Sequence, residues 1–317
     1  MKDKILIITG EEDPMWSFLL DACREEEKEK LVHYVTDRPW HSQCSYDPIN
    51  RTVRFLIENN YFVQDEIKGV WWRRIPTPEF KNFTPEMRRY CEEEYAMFLQ
   101  GLEYVLPQAI WVSKPLAINQ ARNKALQLSL AKEIGFSLLE TVFTNSPIFG
   151  KEFIDGRKSI YKSIKSPRVP LRPDKHTTVF TSVLDNSQQM DGLISCPGIL
   201  QQFVEKLADI RISVFGKKVF AVRIESQQND ASKIDFRMGA RYVDHLIHEL
   251  PEDVSDKCKK LVDKLGLLYG AIDLALLEDG SYVFFEINPN GQWGWLEEKT
   301  GLPMRRALLD ILFGYGS

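Results

Sequence analysis

The chain reads as an α+β protein in which an N-terminal α/β unit precedes units built from antiparallel sheet. Three observations predict this. A short apolar run at residues 5–8 and a strand-like segment at 69–74 alternate with helix-like stretches, a helical pattern fills 119–134, and the chain from residue 210 onward reads as hairpins around one further helix. At 317 residues, 44% hydrophobic and 27% charged, the chain supports two or three units with ample core. Disorder and a disulfide-stapled mini-protein are both excluded.

Residues 5–8 are a buried-strand run, and Thr9-Gly10-Glu11-Glu12-Asp13-Pro14 is the turn after it. That turn has one glycine and carries acids where a pyrophosphate would sit, so it is not a dinucleotide fingerprint. Residues 16–30 read as a helix with a charged end, and 69–74 as a second strand. Thr84-Pro85-Glu86 offers a capping hydroxyl and a proline at the first helical position, opening a helix that ends near Gly101. Trp111-Val112-Ser113-Lys114-Pro115 breaks the pattern, which sets an N-terminal α/β unit at 1–114. The helix over 119–134 stops at Gly135, a C-terminal glycine in the expected place. Strand-like segments at 138–143, 159–165 and 199–204, separated by a loop rich in proline and basic residues, suggest a central unit at 115–200. The last unit, 201–317, holds the hairpins and a helix over 252–266.

The balance of 41 Lys+Arg against 45 Asp+Glu, a net charge of −4, argues against a general nucleic-acid or membrane-surface binder. Five cysteines (Cys23, Cys44, Cys91, Cys196, Cys258) without a CxxC fit neither a zinc site nor a disulfide framework, and read as reduced thiols. No run resembles a signal peptide or reaches membrane-spanning length, so a soluble cytoplasmic protein is expected.

Two hairpins concentrate charge. Between the apolar runs 271–277 and 281–287, Asp279-Gly280 is a strong turn signal. A two-residue loop there places Asp273 opposite Glu286 and Ala271 opposite Asn288, so two carboxylates and an amide oxygen converge on one face; a three-residue loop would break this register. Like charges set opposite each other destabilise a sheet, and three oxygen donors suit a hard cation such as Mg²⁺. The alternative is a solvated strand face. In the second hairpin, 209–225, positions 210, 212, 214, 220, 222 and 224 are apolar while 209, 211, 213, 223 and 225 are polar. A three-residue loop at 216–218 then sets Arg211 opposite Arg223, a pair suited to a carboxylate or phosphate unless Asp209 and Glu225 neutralise it. Lys162 shares an apolar strand face with Ile160 and Ile164, which calls for an anion at its ammonium or a path to solvent.

Taken in order, Asn123-Lys124, Lys162, Gln201-Gln202-Phe203-Val204, Asp209-Ile210-Arg211, Asp273 and Glu286-Ile287-Asn288 resemble the nucleotide and metal constellation of the ATP-grasp superfamily. The resemblance implies an ATP-grasp fold that clamps ATP between two antiparallel sheets. Lys124 and Lys162 would face the phosphates, Gln201, Gln202, Phe203 and Val204 would form the adenine hinge with Asp209 nearby, and Asp273, Glu286 and Asn288 would hold Mg²⁺. Trp71-Trp72-Arg73-Arg74, Glu140-Thr141 with Asn145, and Asn288-Pro289-Asn290-Gly291-Gln292-Trp293-Gly294-Trp295 are similar to the microviridin-type, or graspetide, peptide maturases.

That family implies activation of Asp or Glu side chains of a ribosomal precursor peptide as acylphosphates, then ring closure by Thr/Ser hydroxyls or Lys amines. It also implies a homodimer. Arg73, Arg211, Arg223 and Arg237 are the candidates for holding the acceptor carboxylate, with Arg74 pointing away if 69–74 is a regular strand. The loop after Lys162 carries Lys165, Arg168, Arg172 and Lys175 against Asp174, and reads either as an arm for an acidic leader or core peptide or as a solvated loop. Trp71, Trp72, Trp293 and Trp295 could line a peptide channel, although packing is the commoner use. A ligase adding a free amino acid, or a non-catalytic nucleotide- or peptide-binding module, would present many of the same residues. The sequence leaves ester against amide chemistry open.

Overall fold

The continuous apolar run near the N-terminus forms β1 (Lys4–Thr9), almost wholly buried, as a strand covered on both faces should be. The structure is a computed structural model describing residues 3–315 apart from 77, 79, 81, 166–167, 173–174 and 185–186. It describes 168–172, 175–176, 178, 187–189 and 240 by their backbone alone.

After β1 the helix expected over 16–30 is divided into α1 (Met15–Leu20) and α2 (Glu25–Lys28). Arg24 takes extended backbone between them, and the Glu27 carboxylate accepts its N–H at 2.9 Å, restarting the helix. The chain continues through β2 (Leu31–Val35), β3 (Ser42–Asp47), β4 (Thr52–Ile57), β5 (Asn60–Val63) and β6 (Ile67–Trp72) to α3 (Pro85–Gln100), α4 (Leu102–Val105) and β7 (Ile110–Val112). Strands β2-β1-β6-β7 make a parallel sheet, and β3-β4-β5 an antiparallel one that shares its core. Helix α3 begins where its cap predicts, with the Thr84 hydroxyl accepting from Met87 N–H.

The helix expected over 119–134 is also two helices, α5 (Pro115–Ala121) and α6 (Lys124–Ile134). Asn123 interrupts them: its side-chain oxygen accepts from the N–H groups of Ala125 and Leu126, a stronger local signal than the apolar periodicity running through it. Gly135 ends α6 at φ +92°, a left-handed conformation that glycine adopts without a Cβ clash.

Then follow β8 (Thr141–Thr144), α7 (Pro147–Ile154), β9 (Ser159–Lys162), β10 (Arg168–Arg172), β11 (Lys175–Thr178), β12 (Ser182–Leu184) and β13 (Gly198–Gln202). Strands β12-β9-β13-β8 form an antiparallel sheet, and β10 and β11 pair as a hairpin where a loop was expected. The remaining elements are β14 (Ala208–Phe215), β15 (Lys218–Ile224), β16 (His245–Ile247), α8 (Glu252–Lys264), β17 (Tyr269–Leu276), β18 (Tyr282–Asn288), α9 (Gly294–Thr300) and α10 (Met304–Leu312). Their five strands run β16-β15-β14-β17-β18 in one antiparallel sheet. Met304, Leu308 and Leu312 of α10 join its Phe215 to Ile5, Ile7 and Trp71 of the parallel sheet in one buried cluster. Among the described residues no helix is long and apolar enough to cross a membrane.

Both hairpin loops differ from expectation, with opposite consequences. Between β17 and β18 the Leu277 N–H donates to Ser281 O across a three-residue loop, and Leu276 faces Tyr282. The register would have been lost, but Phe285 is an extra residue: Leu274 faces Phe284 while Asp273 still faces Glu286 and Ala271 faces Asn288. A β-bulge therefore restores the pairing the sequence pattern demanded. Between β14 and β15 the loop has two residues, since Phe215 pairs with Lys218. Arg211 then pairs with Val222, and Arg223 with Ile210. The two arginines fall on opposite faces, so the expected Arg211–Arg223 anion pair does not form.

Candidate active site

A cavity of about 780 Å³ lies between the β9/β13 sheet and the β17/β18 end of the five-stranded sheet, and is bordered by residues 72–76 at and beyond the end of β6. Among the described residues nine basic and five acidic side chains line it, so a chain of net charge −4 presents an electropositive interior. That balance suits a polyanion.

On the β17/β18 wall, Asp273, Glu286 and Asn288 all reach the cavity. The Asp273 carboxylate accepts from Arg211 Nη1 at 2.9 and 2.8 Å, and Glu286 is paired with Lys124. Burial would raise Glu286, but the charge and hydrogen bond of Lys124, with Lys162 and Arg237 beyond, hold it at about 2. Burial pushes the Asp273 carboxyl up against the pull of Arg211, and the charge on Glu286 adds to the rise. Two facing carboxylates thus share a site that keeps both ionised only with cations alongside. Arg211 and Lys124 supply that charge here, and as hard oxygen donors Asp273, Glu286 and Asn288 are of the type that could hold Mg²⁺.

Opposite them stands Lys162. Its Nζ donates to Gln201 Oε1 at 2.8 Å and lies 4.8 Å from the centre of the Phe285 ring. Burial lowers its pKa to about 8; Lys124 and Lys206 act in the same direction, while Glu286 opposes them. Gln201 also donates to Thr141 Oγ1 at 2.9 Å and is buried outside the cavity lining, so it orients Lys162, whereas Gln202, Phe203 and Val204 face the cavity. Asp209 lines it too, within 2.8 Å of Lys206 Nζ.

Arg73 is 2% exposed and reaches the cavity with Nη2 lacking a hydrogen-bond partner among the described residues. Its Nη1 donates to Asn290 O at 3.4 Å, and Asn290 returns a bond to Arg73 O at 2.9 Å. Arg237 also lines the cavity, its Nε donating to Asp235 Oδ1 at 2.7 Å. Arg211 lies behind the wall and touches the cavity only through Asp273. Arg223 faces away from it, its Nε 2.6 Å from Glu225, and leaves the candidate set for that reason. Arg74 joins the lining because β6 ends at Trp72, before strand alternation can turn residue 74 away. Lys165 lines the cavity, while the side chains of Arg168, Arg172 and Lys175 lie outside the described residues, as does Asp174. Trp71 and Trp293 are core residues; Trp72, also largely buried, borders the cavity.

Sequence reasoning missed Lys206, Phe285 and Gln127. Lys206, three residues before Asp209, carried a usable signal; Phe285 reaches the cavity only because of the bulge.

No family model and no curated protein sequence matches the chain. Solved structures do. A RiPP-associated ATP-grasp ligase of Chryseobacterium gregarium, in complex with ADP and a leader and core peptide, is 28% identical with a TM-score of 0.88, covering 100% of this chain and 98% of that one. The chain has the ATP-grasp fold. The macrocyclase MdnC of Microcystis aeruginosa MRC, bound with its precursor peptide MdnA, is a further ATP-grasp match at 25% identity and a TM-score of 0.86, covering 98% of this chain and 99% of that one. The ATP-grasp ligase PsnB, complexed with a minimal precursor, Mg and ADP, shares the fold at 18% identity and a TM-score of 0.75, over 98% of each chain. The similarity to peptide-maturing ATP-grasp macrocyclases, the graspetide maturases, therefore runs the full length of the chain.

Proposed function

We propose that this chain is an ATP-dependent carboxylate ligase that joins Asp or Glu side chains of a ribosomal precursor peptide to Thr/Ser hydroxyls or Lys amines, forming macrocyclic esters or amides. The observation that carries this reading is the Asp273–Glu286–Asn288 face inside an electropositive cavity, in a fold shared with ligases solved with ADP and precursor peptide.

A carboxylate does not condense with an alcohol or amine in water, so it must first be activated. The γ-phosphoryl group of ATP passes to the acidic side chain, releasing ADP; the peptide nucleophile then attacks the acyl carbon, and phosphate leaves with the former acid oxygen. Asp273, Glu286 and Asn288 would hold Mg²⁺, which supplies charge neutralisation at the phosphates when bound. Gln202, Phe203 and Val204 border the adenine, and Lys124 and Lys162, joined by Lys206, meet the polyphosphate charge. Arg73 and Arg237 hold the acceptor carboxylate; the unpartnered Nη2 of Arg73 is a donor in want of an oxygen. Arg211 acts through Asp273, fixing its carboxylate. The basic segment with Lys165, Arg168, Arg172 and Lys175 receives acidic peptide.

The test is incubation with ATP and an acidic Thr- and Lys-containing precursor peptide, read by mass and ADP release. Loss of one water mass per bond with matching ADP is expected; addition of a residue mass would instead indicate a free-amino-acid ligase. Asp273→Ala and Glu286→Ala should each abolish ADP formation, and wild-type turnover in either would refute the metal assignment.

A further inference from the structure

The bulge at Phe285 makes the candidate metal site depend on something outside the hairpin. Below the bulge, near the loop, Leu274 faces Phe284; above it, Asp273 faces Glu286. Had β18 simply continued its loop-side register, Phe285 would face Asp273 and Glu286 would face Ile272. Side chains alternate along a strand, so a slip of one residue turns Glu286 and Asn288 from the cavity to the opposite face. Some contact must hold the upper half of β18 in its shifted place.

β18 is an edge strand, with β17 on one side only. On its free side, before the bulge, the Phe284 N–H donates to Ser137 O at 2.9 Å. After the bulge a side chain takes the role of a neighbouring strand. Gln127 of α6, 2% exposed, accepts from the Ile287 N–H at 3.1 Å and donates to the Ile287 carbonyl at 2.8 Å. The same amide nitrogen donates to Ala121 O at 2.6 Å, which anchors it to the end of α5. Its amide thus pairs with Ile287 as a backbone peptide would, midway between Glu286 and Asn288 and one helical turn from Lys124, the partner of Glu286.

We propose that Gln127 is a positioning residue that locks the register of β18 above the bulge, and so decides that Glu286 and Asn288 face the nucleotide and metal. The inference rests on the ligase reading for its functional consequence, but the register itself can be tested without nucleotide. Gln127→Met keeps the length and removes all three bonds. In the folded variant the Ile287 amide should exchange with solvent at least about tenfold faster, and affinity for Mg²⁺·ADP by calorimetry should fall at least about tenfold, with metal-free ADP affinity changed less than about threefold. A residue that merely stabilised the fold would lower the unfolding midpoint and leave the Mg²⁺ dependence intact. Unchanged Ile287 exchange, or equal loss of ADP affinity with and without Mg²⁺, would overturn the proposal. Should Gln127→Met not fold, Gln127→Glu, which keeps the acceptor for the Ile287 N–H but loses the amide donor to Ile287 O and Ala121 O, must show a Mg²⁺-dependent loss of ADP affinity; wild-type affinity there would count against it. If the wild-type chain itself bound ADP without regard to Mg²⁺, the ligase reading would fail while Ile287 exchange still decided the register.

Discussion

Raising the pH should weaken nucleotide binding through Lys162. Its ammonium is held down at about 8 by burial, with the charges of Lys124 and Lys206 adding to the effect against that of Glu286. A polyphosphate placed against it would favour the charged form, so binding above pH 8 must take up a proton. With a free-state pKa of about 8, roughly nine-tenths of the chains carry the charge at pH 7 and roughly one-tenth at pH 9. If the bound form stays protonated, affinity falls about tenfold over that interval, or about 1.4 kcal/mol. The last phosphate ionisation, with a pKa near 6, is nearly complete by pH 7 and contributes little slope above it. Calorimetry of Mg²⁺·ADP binding at pH 7, 8 and 9, in two buffers of different ionisation enthalpy, measures both the affinity and the proton uptake. Lys162→Met should bind more weakly at pH 7 and lose the slope. An affinity flat from pH 7 to 9, or a slope that survives in Lys162→Met, would refute the placement of Lys162 against phosphate.

Two further substitutions probe the wall behind the site. Arg211→Ala strands the buried Asp273 carboxylate and should cost about 3 kcal/mol of stability, seen as a lower denaturant midpoint and partly recovered by Mg²⁺·ADP; an unchanged midpoint would show the pair is not effectively buried. Gly291→Ala would put a Cβ 2.6 Å from both the Ala271 Cβ and Arg211 Nη2. Because Ala271 sits in the strand and cannot rotate away, about 1–3 kcal/mol of destabilisation is expected in thermal unfolding, and wild-type stability would contradict the close approach of the 288–292 loop.

Local sequence determined much of this protein. The α3 cap at Thr84, the stop at Gly135 and the two hairpins all follow from signals a few residues long, because caps, turns and strand alternation are local physics. The meeting of Asp273 with Glu286, by contrast, came through a bulge at Phe285 and not through the loop that the Asp-Gly signal suggested. Loop lengths were where reading failed: one residue fewer between β14 and β15 separated Arg223 from Arg211, since strand pairing has a period of two and passes any single-residue error to every side chain beyond it. The breaks in the two long helices were written locally, at Arg24 and Asn123, but apolar periodicity masked them. What only the tertiary structure decided are contacts between residues distant in the chain: Lys124 on Glu286, Asn290 on Arg73, and Gln127 on Ile287. No periodicity encodes such pairs, because each depends on where a helix packs against a strand more than a hundred residues away.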